Sequence, residues 1–274
     1  SCNCVFMTLA ERMGVSKFYS YLKEFGIGSK TGVQISGESG GIMLKESLVK
    51  TVDLARIGFG QTVAVTPLQL ITAVSSIVNG GIKVSPTIIK QIKQTENKRL
   101  ISEKTSQSIC NMMKLVVNKT AMYSFVPGYD IGGKTGTAQK FSNGKLDRGK
   151  YVSSFIGTYP ASNPEYVLLF CVDEPSAGAY YGSVVAAPYG KEIFANLFKY
   201  LNIPPINQEE DEKKLEKNIT MPDLIGKSLT EAVSTLINLG LIYEIDGEGS
   251  KVTDQLPPAG TKLFKNANVI LVCT

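Results

Sequence analysis

Gly128-Tyr129-Asp130-Ile131-Gly132-Gly133-Lys134-Thr135-Gly136-Thr137-Ala138-Gln139 is the stretch whose reading decides the fold. Its first eight residues match G-x-x-x-x-G-K-[ST], the pattern of a phosphate-binding loop, which would make the chain a nucleotide hydrolase. Such a loop needs a buried strand before its first glycine and a helix starting at the lysine, so that free amides converge on phosphate. Phe125-Val126-Pro127 is a poor strand, and no apolar strand ending in Asp offers a magnesium partner. After Lys134 comes another glycine and then strand-like alternation, so no helix starts there. The stretch reads instead as a strand from Ile131 to Gln139 with Lys134 near its middle.

Working outward, Tyr151 to Tyr159 and Tyr166 to Val172 read as two further strands. Gly144 lies in the first connection and Ala161-Ser162-Asn163-Pro164 forms the second, so the three are expected to lie side by side and antiparallel. Upstream the period is helical. Val5 and Leu9 mark a helix that Gly14 stops, and Ser16 is placed to cap a second, with Phe18, Leu22 and Phe25 on one face and Gly26 after it. Thr66-Pro67-Leu68-Gln69 is a helix start with a capping box and proline in the first turn; Ile71, Val74 and Val78 follow at helical spacing until Gly80-Gly81. Ile109, Met112, Met113 and Val116 mark another helix, and a last one runs from about Pro188 with Ile193, Leu197 and Leu201 facing inward. Helices, then a meander, then a helix give an α+β fold with helices against an antiparallel sheet. Pro204-Pro205 and the charge run from Gln208 to Lys214 then mark a linker. The expected domains are residues 1–202, a linker at 203–218, and a small module at 219–274.

Composition narrows the chemistry. The net charge of +5 is diffuse, with no Arg-rich stripe, which argues against nucleic acid as a partner. Histidine is absent, removing the usual general base and the commonest metal ligand, so protons must move on Lys, Ser, Tyr or carboxylates. Five cysteines at irregular spacing (Cys2, Cys4, Cys110, Cys171 and Cys273) read as buried free thiols rather than a disulfide framework. Cys2 and Cys4 could share a soft ion such as zinc, although burial of both thiols is the simpler expectation. No apolar run is long enough to span a bilayer and no signal peptide opens the chain, so it reads as a fragment of a longer exported protein.

Lys134-Thr135-Gly136-Thr137 is similar to the K-[ST]-G-[ST] strand of penicillin-recognising serine enzymes, and Ser1-Cys2-Asn3 to their S-x-N element, in the family's order. Glu38 within Gly37-Glu38-Ser39-Gly40, then Gly58-Phe59-Gly60-Gln61, Thr66-Pro67-Leu68-Gln69 and Ala186-Ala187-Pro188 extend the match. Residues 1 to about 202 thus resemble a class B penicillin-binding protein. The resemblance implies a peptidoglycan D,D-transpeptidase that cross-links D-Ala-D-Ala stem peptides through a serine acyl-enzyme and is trapped by β-lactams. Lys134 would offer a fixed charge to the donor's carboxylate, and the hydroxyls of Thr135 and Thr137 would hydrogen-bond it. Gly136 would let the substrate backbone lie along the strand edge. The Thr137 amide would supply an oxyanion donor, typically worth about 3 kcal/mol at the transition state. Ser1 would relay a proton to the leaving amine with Lys134 and a second lysine, and Asn3 would orient that lysine and hold the substrate amide. No cofactor is required.

The family's nucleophile sits in an S-x-x-K that precedes S-x-N and is expected upstream of residue 1. Ser47-Leu48-Val49-Lys50 matches the pattern but follows S-x-N, and reads as chance. The family also implies a membrane anchor preceding this chain, an extracytoplasmic location and a glycosyltransferase partner. The same site could serve a β-lactamase or a β-lactam sensor, or survive degenerate in a non-catalytic wall-binding protein.

Downstream, Met221-Pro222-Asp223-Leu224-Ile225-Gly226 precedes a capping box of Ser228 and Glu231. Leu229, Ala232, Val233 and Leu236 form the buried face of a helix that Gly240 ends. Strand patterns at Leu241 to Ile245 and Val269 to Val272 flank the turn Gln255-Leu256-Pro257-Pro258-Ala259-Gly260. This small α/β module resembles a PASTA domain, a family associated with muropeptide or β-lactam binding. One such unit behind a class B enzyme resembles the sporulation-type members. Residues 1–274 alone are expected to take up no fluorescent penicillin; covalent label on Ser47, read by peptide mass spectrometry, would overturn that.

Overall fold

The structure is a computed structural model. It describes residues 2–90, 98–119, 122–142, 145–176, 179–209, 211, 219–263 and 267–274. The chain divides into two compact units: Ser1–Cys110 with Asn163–Val167, and Asn111–Ser162 with Leu168–Thr274.

The first unit is largely helical. It holds α1 (Asn3–Met13), α2 (Val15–Glu24), α3 (Thr51–Gly58), α4 (Pro67–Val78) and the first turns of α5 (Glu103–Lys119). Gly14, at φ 77°, ends α1 and also stands at the N-cap of α2, so Ser16 lies inside the first turn and does not cap it. The most buried side chain of α2 is Tyr19, whose hydroxyl donates to the Leu44 carbonyl at 3.1 Å, while Phe18 is only half-buried. α1 packs on α3 where Gly58 leaves room for Ala10: a Cβ on Gly58 would lie 2.6 Å from that of Ala10. The capping box of α4 forms as expected, with Thr66 Oγ1 accepting from the Gln69 amide at 3.1 Å and Gln69 Oε1 accepting from the Thr66 amide at 2.9 Å. Gln69 is 1% exposed because its Nε2 also donates to the carbonyls of Ser29 and Gly40, at 2.6 and 2.8 Å. One amide side chain thus makes three hydrogen bonds and ties the helix start to the preceding loop. Glu38 closes that loop, accepting from the Thr31 amide and hydroxyl at 2.7 and 2.6 Å and from the Gly32 amide at 3.1 Å. Those hydrogen bonds, the Thr31 hydroxyl first, hold its pKa below the usual glutamate value.

In the second unit β1 (Gly132–Ser142), β2 (Lys145–Tyr159) and β3 (Tyr166–Asp173) form one sheet in that order. β1 and β2 are antiparallel, with Lys134 opposite Ile156 and Gly136 opposite Ser154. Lys134 therefore sits in a strand, and the phosphate-loop reading falls. α6 (Gly182–Val185) and α7 (Ala187–Tyr200) follow the sheet. The inward face of α7 is Ala187, Gly190, Phe194 and Phe198, whereas Ile193 is exposed and Leu197 and Leu201 are half-buried. The expected face is turned by one residue because the sheet presents Phe155, fully buried, to Gly190. A Cβ at Gly133, Gly157 or Gly190 would lie under 3.0 Å from the Phe155 ring. Similarly, α5 buries Cys110, Met113 and Val117, leaving Met112 exposed.

The small module buries Met221, Leu224, Ala232, Leu236, Val252, Val269 and Leu271 in one core. Its helix α8 (Leu229–Asn238) carries the expected Ser228–Glu231 capping box. β5 (Ile242–Asp246) and β6 (Val252–Leu256) flank β8 (Asn268–Cys273), parallel and antiparallel respectively, and β4 (Ile219–Thr220) pairs with β7 (Lys262–Leu263). Buried Gln255 joins the two turn motifs: its Oε1 accepts from the Leu224 amide at 2.5 Å and its Nε2 donates to the Pro222 carbonyl at 2.8 Å.

Two predictions follow from this packing. Gly190→Ala should cost about 1–3 kcal/mol by overpacking, despite alanine's better helix propensity, and Phe155→Leu in the same chain should recover part of the loss; thermal denaturation decides. Because the folded pKa of Glu38 is lowered, its contribution is present above the ordinary glutamate range and is lost as pH falls through the lowered value. Amide exchange at Thr31 and Gly32 should therefore rise on acidification, relative to the rest of the unit, and Glu38→Gln should abolish that pH dependence.

Candidate active site

The strand β1 lies at one end of the order β1-β2-β3, so within that sheet its backbone pairs on one side only. Lys134, Thr135, Gly136 and Thr137 occupy this edge. An edge strand offers a row of free amide and carbonyl groups to any extended chain that aligns with it. Lys134 is exposed by surface area, yet desolvation of its ammonium lowers its pKa from the ordinary lysine value. Its Nζ donates to the Thr135 carbonyl, and among the described residues no carboxylate pairs with it. Two lysines of this unit do have carboxylate partners: Lys140 with Asp173 and Glu174 at 2.9 and 2.7 Å, and Lys114 with Asp130 at 2.9 Å.

Thr135 and Thr137 share one face of the strand by its two-residue period. The Thr137 hydroxyl oxygen accepts from the Gly182 amide at 2.9 Å. That bond fixes the oxygen and leaves its proton free to be donated outward. Gly182 lies so close to the strand that a Cβ on it would collide with the carbonyls of Gly136 and Ser154. A Cβ on Gly136 would lie 2.7 Å from the Ser154 hydroxyl. A side chain at this position would therefore have to displace the Ser154 hydroxyl.

Sequence reasoning missed the segment Tyr180-Tyr181-Gly182. The Tyr180 carbonyl accepts from the Ser153 hydroxyl, and the Tyr180 ring stacks on Tyr151 with centroids 4.0 Å apart. No periodicity marks such a turn; a glycine just after two tyrosines was the available signal.

Ser1 lies outside the described residues. Asn3 opens α1 in the first unit and is exposed; the K-T-G-T strand belongs to the second. Of the five cysteines Cys110 and Cys273 are buried, whereas Cys2 and Cys4 at the start of α1, and Cys171 on β3, are exposed. Among the described residues no group of three or more His, Cys, Asp or Glu side chains could hold a metal ion. Ser47 stands in a 3-10 turn (Glu46–Leu48), and Val49 and Lys50 are extended. Serine and lysine therefore do not share a helical turn, as an S-x-x-K pair working together would require.

The penicillin binding protein transpeptidase domain family matches residues 1–197, and the PASTA domain family matches residues 219–273. Stage V sporulation protein D of Bacillus subtilis is 38% identical over 291 aligned positions, covering 100% of this chain and 45% of that protein. The probable peptidoglycan D,D-transpeptidase PenA of Neisseria gonorrhoeae is 34% identical, covering 72% of this chain and 34% of that protein. The chain thus spans less than half the length of these curated relatives. Among solved structures, the transpeptidase domain of Burkholderia pseudomallei penicillin-binding protein 3 superimposes with a TM-score of 0.68 at 28% identity, over 74% of this chain and 62% of that one. Penicillin binding protein 3 of Mycobacterium tuberculosis, solved with ampicillin, gives 0.63 at 31% identity, over 73% and 49%. The α+β fold, the lysine-bearing strand edge and these matches together make the chain a member of the penicillin-binding protein transpeptidase family with one PASTA domain behind the transpeptidase fold.

Proposed function

We propose that the protein containing this chain is a peptidoglycan D,D-transpeptidase that cross-links D-Ala-D-Ala stem peptides through a serine acyl-enzyme, in spore cortex synthesis. The observation that carries this reading is the sheet edge at β1, where Lys134 has no carboxylate partner among the described residues and the Thr137 hydroxyl oxygen is held by the Gly182 amide, its proton still available to donate. A donor peptide ending in a carboxylate matches that edge. Its backbone adds to β1 as a further strand, its carboxylate meets Lys134 and the Thr135 and Thr137 hydroxyls, and Gly136 leaves the approach open.

In this reading the Thr137 amide faces the oxyanion of the tetrahedral intermediate. Ser1 relays a proton to the departing D-Ala amine, with Lys134 and a second lysine, and Asn3 holds the substrate amide. The nucleophilic serine belongs to an S-x-x-K outside these residues. The chemistry asks for no cofactor; zinc on Cys2 and Cys4 would need ligands from elsewhere. β-Lactams would acylate the same serine, in line with the ampicillin complex of the Mycobacterium tuberculosis relative. No helix among the described residues is long and apolar enough to cross a membrane. The work is assigned to the extracytoplasmic face, with the anchor in sequence preceding residue 1 and a glycosyltransferase supplying the glycan strand. The domains run over 1–202 and 219–274, although Ile206 and Asp211 of the linker are bonded to the first of them. The Ile206 amide donates to the Gly128 carbonyl at 2.7 Å, and Asp211 accepts from the Gly128 amide at 3.0 Å.

In the full-length protein, Lys134→Ala should slow acylation by a fluorescent penicillin about 10- to 100-fold, the range of a charge-assisted hydrogen bond. Rapid release of hydrolysed penicillin by the wild type would favour a β-lactamase instead. The lysine's charge is present below its pKa and lost above it. Since desolvation lowers that pKa, the alkaline fall in acylation rate should lie below the ordinary lysine value of 10.5. Lys134→Arg, wherever it retains activity, should show no such fall, because guanidinium stays protonated.

A further inference from the structure

The PASTA domain meets the Tyr180–Tyr181 turn at a carboxylate. Asp246, the last residue of β5, accepts from the hydroxyls of Tyr180 and Tyr181, each at 2.7 Å and both on Oδ2. Asp246 is half-buried, and no cation pairs with it among the described residues, so the two phenols are what meets its charge there. Its position is fixed on the module side. Gly247, at φ 102°, follows it so closely against the Cys273 carbonyl that no Cβ could be accommodated. Asp246 also pairs with Val272 in the parallel ladder of β5 and β8.

On the other side the two tyrosines are equally constrained. Their rings stack with centroids 4.4 Å apart, and the Tyr180 ring lies on Tyr151 of β2. Burial raises the pKa of both phenols, and Asp246 raises it further, so both remain donors throughout the physiological range. Tyr181 is the residue before α6, and the next residue, Gly182, is the one whose amide holds the Thr137 hydroxyl. Asp246, the tyrosine pair, Gly182 and Thr137 thus form a contiguous series of contacts. A contact of two hydrogen bonds would be weak between separate molecules. Within one chain it benefits from a high effective concentration.

We propose that Asp246 is a positioning residue: it docks the PASTA domain on the Tyr180–Tyr181 turn and thereby holds Gly182 and the Thr137 hydroxyl in place on the carboxylate-binding edge. This assigns the module a mechanical role in the enzyme's own site, whatever ligand it binds elsewhere. The effect on catalysis rests on the transpeptidase reading above; the docking contact does not.

The test uses full-length protein and two readouts. In Asp246→Ala, amide exchange across residues 179–185 should rise several-fold while exchange in β8 of the module stays unchanged, showing that the module is still folded. The second-order rate of acylation by a fluorescent penicillin should fall about three- to tenfold. Asp246→Asn keeps an acceptor oxygen and should recover part of both. Tyr180→Phe with Tyr181→Phe removes the donors and should reproduce the loss, and adding Asp246→Ala to it should cost nothing more. Unchanged exchange at 179–185 in Asp246→Ala would overturn the docking contact. Raised exchange with an unchanged acylation rate would overturn the positioning role. If the wild type itself takes up no penicillin, the transpeptidase reading fails, and the exchange comparison still decides whether the module docks.

Discussion

The geometry of the Lys134 edge depends on how one aromatic ring, Phe155, fits into space left by Gly133, Gly157 and Gly190. Phe155 is fully buried and pairs across the sheet with Thr135. Its ring therefore sets the distance at which α7 lies on the strands. Close packing makes that distance hard to vary, since interiors resist even one extra methyl group. Beside it Gly182 does the same at shorter range, lying against the carbonyls of Gly136 and Ser154. Fixed on this side by rings and glycines, β1 can present its other edge as a stiff template. In the proposed function such stiffness helps, because the strand itself has little left to order at the moment of binding.

The fold class, the three-strand order and the capped helices were legible in the sequence because each rests on a local signal. Thr66-Pro67-Leu68-Gln69 and Ser228 with Glu231 specify helix starts through contacts three residues apart, and both capping boxes form. The faces of helices were less legible. α7 turns Phe194 and Phe198 inward in place of Ile193 and Leu201, and α2 buries Tyr19 more deeply than Phe18. Apolar spacing alone does not separate neighbouring stripes when both carry large residues. The choice is made by the partner surface, here the Phe155 ring for α7 and the Leu44 carbonyl for Tyr19. The cysteines depart from the expected pattern for a different reason: cysteine is usually buried, but Cys2 and Cys4 stand at the start of a helix and are exposed.

Two glutamines show a further limit on what patterning reveals. Gln69 and Gln255 are among the most buried side chains of the chain, and each bridges a helix start or turn to a loop through its amide. A buried amide with all its bonds made contributes specificity, because an alternative register would leave the same groups unpaired at a cost of about 1–3 kcal/mol each. Gln69 was read as a capping residue, which it is, and Gln255 as part of a turn motif. Their long-range bonds, 40 and 31 residues distant in sequence, are invisible to local reasoning.

Desolvation, rather than the lack of a carboxylate, sets Lys134 apart in the second unit. Lys114 and Lys140 have carboxylates at hydrogen-bond distance, and Lys150 has Asp147 at 3.5 Å. Lys191, Lys199, Lys227 and Lys251 have none among the described residues, and neither does Lys134. Its ammonium is instead desolvated, which disfavours the charge, and the Thr135 carbonyl is its described partner. A cation kept at that cost is best satisfied when an anion arrives with the substrate. At the Tyr180–Tyr181 turn the half-buried carboxylate of Asp246 is bound up by two phenols. Those bonds hold it on the tyrosines and leave the strand edge as the place where a carboxylate from outside can be gripped.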